Sequence, residues 1–248
     1  MIKFARRKTT QEEVLEFEGR RVVLQRISRY RGLRLRIDSN QRVEVRCSQG
    51  QPLGEIWDFL KERRSWMDRA LLRFEQEARR FPAKRFVEGE DFLFFGHPVS
   101  LHLVPGLPRP VQHRPGRLLV DGVDQDPARI RRRLRDFYRE VGCQYLTLRL
   151  AHWVQETRLQ PARVVFRSQK SRWGSCSSRG TISLNWMLIA APAEVIDYVI
   201  VHELCHLKQM NHSTAFWKLV GNFVPDVGAS RSWLRENSRV MSWLMEST

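Results

Sequence analysis

Apolar and polar residues alternate in the first part of the chain, and this pattern predicts β-structure. Residues 33–37 alternate leucine or isoleucine with arginine at a period of two, so one face is apolar and the other is basic. Turn-forming residues follow at 38–40, and Val43 and Val45 then resume the alternation. We therefore predict a hairpin whose apolar face is buried and whose arginines point outward.

The spacing becomes helical between residues 53 and 78, and strand patterns return afterwards. In this segment apolar side chains recur three or four residues apart, at Ile56, Trp57, Leu60, Trp66, Ala70, Leu71 and Phe74. Residues 92–103 form a second predicted hairpin around Gly96, and 118–120 is one more short strand. We predict that residues 1–122 form a β-rich N-terminal region with a helical hairpin inserted in it.

The second half of the chain begins with a long amphipathic helix. Asp126 is a suitable N-cap and Pro127 suits the first helical position. The apolar stripe expected on its buried side consists of Ile130, Leu134, Phe137, Val141, Tyr145, Leu148 and Trp153. Strands are predicted at 163–167 and 181–186, before a further helix that starts at Pro192. The fold class is therefore predicted as α+β, with a second domain over residues 123–248.

The helix after Pro192 carries the residues that constrain function most. Its apolar residues near 195–200 predict burial. Histidines inside so apolar a helix are costly to bury unless their nitrogens bind a partner. His202 and His206 are four residues apart and thus lie on one face, where both imidazoles reach one metal ion. Glu203 lies about 100° around the helix from His202. There it can act on a water molecule as general base without being a ligand.

A catalytic zinc site requires a third protein ligand and an open position. His212 is the first candidate, because Ser213 can cap the next helix and the chain can turn His212 back toward the pair. Glu236 and Asp226 are alternatives that would give a site of two histidines and one carboxylate. Zn²⁺ is the expected cofactor, since imidazole ligands favour it.

A polar, glycine-containing segment at residues 168–178 precedes the strand predicted at 181–186. One interpretation is a hairpin turn with a packed Trp173. The other is the rim of a cleft, in which the backbone of an edge strand binds an extended substrate. Spacing alone leaves both interpretations open.

Composition adds a strong positive charge to this picture. The 248 residues include 43 Lys and Arg but 27 Asp and Glu, which gives a net charge of +16, and only seven of the basic residues are Lys. This excess fits a polyanion such as nucleic acid or a nucleotide, and it equally fits a solvated arginine-rich surface. No stretch matches the roughly 20 apolar residues of a membrane-spanning helix. With no apolar leader and four scattered cysteines, we predict a cytoplasmic protein with reduced thiols and no membrane partner.

Taken together, these motifs resemble the YgjP-like metallopeptidase family, which is related to the WLM and SprT-like zincins. The matching pieces are Lys170-Ser171-Arg172-Trp173-Gly174-Ser175-Cys176, Leu184-Asn185-Trp186, and His202-Glu203-Leu204-Cys205-His206 followed by His212-Ser213 and Phe216-Trp217. The resemblance implies a zincin-like domain whose active-site helix lies under a small sheet, with His212 as third ligand. It also implies that the residues contacting substrate are Arg172, Trp173, Gly174, Ser175 and Asn185.

Three functions fit the sequence at this point. The first is a zinc-dependent hydrolase of the peptidase type, acting on peptides or proteins. The second is a nucleoside-triphosphate pyrophosphatase, notably on UTP, an activity that the resemblance also implies and that the arginine excess supports. The third is a zinc protease or binding module associated with nucleic acid through the basic surface. A missing Walker-type loop counts against the second, and the intact Glu203 counts against a purely structural zinc.

Overall fold

The computed structural model describes the chain in five stretches, residues 10–38, 41–80, 82–122, 125–169 and 172–244. These stretches combine helices with three small sheets, so the predicted α+β class is confirmed. The chain divides into two compact units, Met1–Pro82 and Ala83–Thr248. The sequence places the boundary at residue 122 instead. It differs because the strands between 91 and 120 share a hydrophobic core with the C-terminal helices.

The first unit is a four-stranded sheet with two helices. The sheet has the order β1-β2-β4-β3, and its strands are β1 (Thr10–Phe17), β2 (Arg20–Ile27), β3 (Arg34–Ile37) and β4 (Val43–Ser48). The predicted hairpin is confirmed, because β3 and β4 pair antiparallel with Leu35 opposite Val45. The helical segment consists of α1 (Leu53–Glu62) and α2 (Arg64–Arg80), which meet at Arg63.

A second four-stranded sheet opens the larger unit. Its order is β5-β6-β8-β7, with β5 (Asp91–Phe94), β6 (His97–Leu103), β7 (Val111–Arg114) and β8 (Arg117–Val120). The predicted hairpin around Gly96 is confirmed as β5–β6. At its turn, the amides of Phe95 and Gly96 donate hydrogen bonds to the carbonyls of Ile189 and Ala190, at 2.8 and 2.9 Å. A Cβ on Gly96 would lie 2.5 Å from Pro192 Cγ, so only glycine allows this close approach.

The long helix α3 (Pro127–Thr157) is confirmed, and Asp126 Oδ1 caps it by accepting from the amide of Ala128. Its predicted buried stripe is correct except at Leu148: Ile130 and Leu134 are buried, and Phe137, Val141, Tyr145 and Trp153 are half-buried against the core. The buried residues recur every four positions, at Ile130, Leu134, Tyr138, Gly142, Leu146 and Leu150, whereas Leu148 is 70% exposed. At Gly142 the helix comes close to the 3-10 helix region of the chain, since a Cβ there would lie 2.5 Å from the Trp186 carbonyl oxygen. Neither α3 nor another helix in the described stretches is long and apolar enough to cross a membrane.

The rest of the chain carries the candidate site. A three-stranded sheet of order β10-β11-β9 contains β9 (Arg163–Arg167), β10 (Gly174–Cys176) and β11 (Thr181–Asn185). A 3-10 helix at Trp186–Ala190 leads into α4 (Ala193–Cys205), and α5 (Thr214–Gly221) and α6 (Val227–Glu236) follow. The predicted helix under a small sheet is thus confirmed. β10 is an edge strand that pairs antiparallel with β11 on one side.

Candidate metal centre

Three histidine side chains converge at the C-terminal end of α4. His202 lies in the last turn of the helix, and His206 is its C-terminal capping residue. His202 Nε2 is 3.2 Å from His206 Nε2 and 3.1 Å from His212 Nε2. The potential ligand atoms of the three residues all lie within 4.8 Å of one another. The structure therefore brings together the three histidines that the sequence predicts as ligands.

Local hydrogen bonds explain how the chain returns His212 to the helix end. After α4, the amides of Leu207 and Gln209 bond to the carbonyls of Leu204 and Cys205 and close a tight turn. Ser213 then caps α5, its Oγ accepting from the amide of Phe216. Because α5 begins directly after His212, the cap holds that imidazole beside α4.

The hydrogen bond of its outer ring nitrogen leaves the Nε2 lone pair of His206 available to a cation. His206 Nδ1 lies 3.0 Å from the carbonyl of Gln209; a carbonyl only accepts, so Nδ1 carries the proton and Nε2 has a lone pair. His202 Nδ1 faces the hydroxyl of Tyr198 at 3.4 Å. Burial, with smaller contributions from neighbouring positive groups, lowers the pKa of His202 to about 3. Burial also lowers the pKa of His206. Neutral imidazoles at pH 7 are the form that coordinates a metal.

The spacing of these nitrogens fits a tetrahedral zinc site. Two nitrogens about 2.1 Å from one ion at the tetrahedral angle are about 3.4 Å apart. The observed 3.1 and 3.2 Å are close to this value. The alternative ligands are engaged elsewhere. Asp226 Oδ1 accepts from the amide of Ala229 at the start of α6, and Glu236 Oε1 accepts from Ser232 Oγ.

Glu203, next to the first histidine, is a buried carboxyl group. It is 6% exposed, and its Oε2 has no hydrogen-bond partner among the described residues. Burial raises its pKa to about 7. β10 packs directly against it, because a Cβ on Gly174 would lie 2.6 Å from Glu203 Oε1. The carboxyl group is thus held between α4 and the edge strand, in a position to exchange a proton near neutral pH.

The other residues predicted to contact substrate fall into two groups. Trp173 is buried against Trp233, with ring centroids 6.1 Å apart. Asn185 is buried, and both polar atoms of its side chain are hydrogen-bonded. Its Nδ2 donates to the carbonyls of Gln169 and Arg172, and its Oδ1 accepts from the amide of Met187.

These two residues therefore hold the segment that leads into β10, while the side chain of Arg172 is exposed and Ser175 is half-buried on the strand. Lys170 and Ser171 of the same motif lie outside the described residues.

The structure adds to the site three residues to which sequence reasoning assigned no role, although Trp217 is part of the motif shared with the family. Tyr198 lies one turn before His202, a spacing that could have revealed it. Trp217 stacks on His212, with centroids 5.5 Å apart and an angle of 26° between the rings. Arg231 of α6 lies over the Trp217 ring, with its Cζ 4.9 Å from the ring centroid. No local pattern links Arg231 to the histidines, since it reaches them only through the packing of α6.

The chain is similar to a protein family and to a solved structure. The family described as YgjP-like, metallopeptidase domain, matches residues 31–237. Among solved structures, the chain is similar to the metallopeptidase zymogen abylysin of Pyrococcus abyssi, with 27% sequence identity over 38% of this chain and 96% of that chain. The TM-score of 0.34 is too low for a structural inference. No curated protein matches the chain.

Proposed function

The chain belongs to the YgjP-like metallopeptidase family, and from this premise we propose that it is a zinc-dependent peptidase. In this proposal His202, His206 and His212 hold the ion, and Glu203 is the general base. One observation carries the proposal. Three Nε2 atoms converge at the end of a buried helix, and the residue after the first histidine presents a buried carboxyl group.

The chemistry assigned to the chain's own residues is proton transfer and positioning. A bound zinc ion supplies Lewis acidity, lowering the pKa of water and polarising a carbonyl oxygen. The Glu203 carboxylate accepts the proton of the water molecule that attacks the peptide carbonyl, and then donates it to the leaving amine nitrogen. Gly174 supports this role because its missing side chain leaves room for the carboxyl group beside β10.

The edge strand supports a peptide as substrate. β10 pairs with β11 along one side and ends the sheet on the other. An extended peptide can add to such an edge through main-chain hydrogen bonds. Because Gly174 of β10 touches Glu203, a peptide paired there would run past the proposed general base.

Metal analysis of purified variants tests the ligand set. We expect about one zinc per chain in the wild type and in Glu203→Gln, and loss of zinc in His202→Ala, His206→Ala and His212→Ala. Elemental analysis after gel filtration measures the content, and circular dichroism checks that each variant is folded. Full zinc content in His212→Ala would show that His212 is not the third ligand.

A substrate panel tests the activity itself. Wild type and Glu203→Gln are assayed on a casein-like protein, unstructured peptides and UTP. We expect the wild type to cleave peptides and the variant to lose about 10²- to 10⁴-fold in kcat. Turnover of UTP alone, abolished by the same substitution, would favour a pyrophosphatase instead. Retention on nucleic acid that falls linearly with log salt would indicate a phosphate-binding surface in addition.

A further inference from the structure

A layered stack extends from the candidate metal centre to the surface. His212 stacks on Trp217 with centroids 5.5 Å apart, and Arg231 lies 4.9 Å from the centroid of that indole. The two steps place the guanidinium within about 10 Å of the His212 ring. Trp217 also lies 5.8 Å from the His202 ring, so the indole bridges the arginine and two of the histidines.

The positive charge of Arg231 is not neutralised by an acidic side chain in the described part of the chain. Its side chain is exposed, while the indole beneath holds it through a cation–π contact. A fixed, unpaired guanidinium presents a fork of donors whose natural partner is a carboxylate or a phosphate.

We propose that Arg231 binds a carboxylate group of the peptide substrate and so determines its selectivity. The inference rests on the peptidase function proposed above. An extended residue spans about 3.3–3.6 Å, so the recognised carboxylate lies about two to three residues from the bond that is cleaved. Two sources supply this group: the free C-terminus of a short peptide, and an Asp or Glu side chain near the scissile bond.

A second arginine on the same helix provides a matched control. Arg235 is exposed like Arg231 and lies one turn further along α6. Its Nη2 donates to Ser232 Oγ at 2.9 Å. Replacing either arginine with glutamine removes the same charge from the same helix, but only Arg231 is stacked over Trp217.

The experiment compares zinc-loaded wild type, Arg231→Gln, Arg231→Lys and Arg235→Gln on four versions of one cleaved peptide. The versions combine a free or amidated C-terminus with Asp or Asn near the scissile bond. We expect the wild type to prefer one carboxylate-bearing version by about 10- to 100-fold in kcat/KM. Arg231→Gln should abolish this preference through KM, with kcat within about twofold on the neutral peptide. Arg231→Lys should retain part of it, and Arg235→Gln all of it.

The outcomes separate this inference from the proposed function. Wild type that holds zinc but cleaves no peptide would overturn both. Peptide cleavage without a carboxylate preference, or a preference that survives in Arg231→Gln, would overturn the role of Arg231 alone. An equal loss on all four peptides in Arg231→Gln would show a structural contribution and also overturn it. The terminal and side-chain arms identify which carboxylate is bound.

Discussion

Replacement of Gly174 by alanine tests whether β10 positions the proposed general base. The new methyl group would stand 2.6 Å from Glu203 Oε1, 2.8 Å from Cγ and 3.0 Å from Cδ, where ordinary contacts are 3.4–4 Å. The backbone at Gly174 is not in the left-handed region, so alanine is allowed there by its own conformation. The substitution therefore acts through the contact with Glu203.

The shortfall in distance sets the expected size of the effect. Relief of the contact requires the carboxyl group or β10 to move by nearly 1 Å. Such overpacking lowers the free energy of unfolding by about 1–3 kcal/mol. A displacement of this size at a reacting group lowers kcat by about 10²-fold. Zinc content should stay near the wild-type value, because α4 and the turn after it hold the three histidines independently of β10.

Three measurements on Gly174→Ala check this reasoning: peptide hydrolysis, zinc content and urea unfolding. Gly221→Ala is the control, since a Cβ there meets nothing within 4 Å. It should leave kcat unchanged and stabilise the protein slightly. If Gly174→Ala has the kcat and the stability of the wild type, β10 does not position the Glu203 carboxyl group. Loss of zinc together with activity would mean that β10 supports the ligands rather than Glu203.

Further predictions concern burial, loop anchoring and helix register. In metal-free protein, the raised pKa of Glu203 makes the unfolded state lose its proton first, so stability falls as pH rises from 4.5 to about 7. Metal-free Glu203→Gln should then exceed wild type by roughly 3 kcal/mol at pH 8 and by nothing below pH 4, in urea melts with chelator. Asn185→Ala loses three hydrogen bonds and should cost roughly 2–4 kcal/mol, with faster tryptic cleavage after Arg172; unchanged proteolysis would argue against the anchoring. Gly142→Ala should lower stability by roughly 1–3 kcal/mol and Leu148→Ala by under about 0.5, and the reverse order in thermal melts would restore the predicted register.

The parts of the site that could be predicted from sequence are those encoded by neighbouring residues. The four-residue spacing of His202 and His206 defines one helix face, whatever the helix packs against. The capping residue Ser213 likewise predicts where α5 begins, and this places His212 directly before the helix. The hairpins were predictable for the same reason, since alternation and turn residues act over a few positions.

The parts that could not be predicted depend on contacts between distant segments. Gly174 and Glu203 meet only because α4 packs under β10, a strand of three residues without an apolar pattern. Arg231 reaches the histidines through the packing of α6. In α3, Gly142 is buried because the carbonyl oxygen of Trp186, from a distant segment, lies close to it, and hydrophobicity alone does not reveal such a contact.

The hydrogen bonds between the β5–β6 turn and the 3-10 helix before α4 tie the hairpin to the histidine-bearing part of the chain. The turn amides satisfy the carbonyls of Ile189 and Ala190, directly before the helix that bears the histidines. A fragment that starts at residue 123 would leave both carbonyls without donors. It would also lack the β5–β8 residues that pack against Leu134 in the core. A fragment starting at residue 83 keeps both. Any transplant of the candidate metal centre into another protein therefore has to include the hairpin.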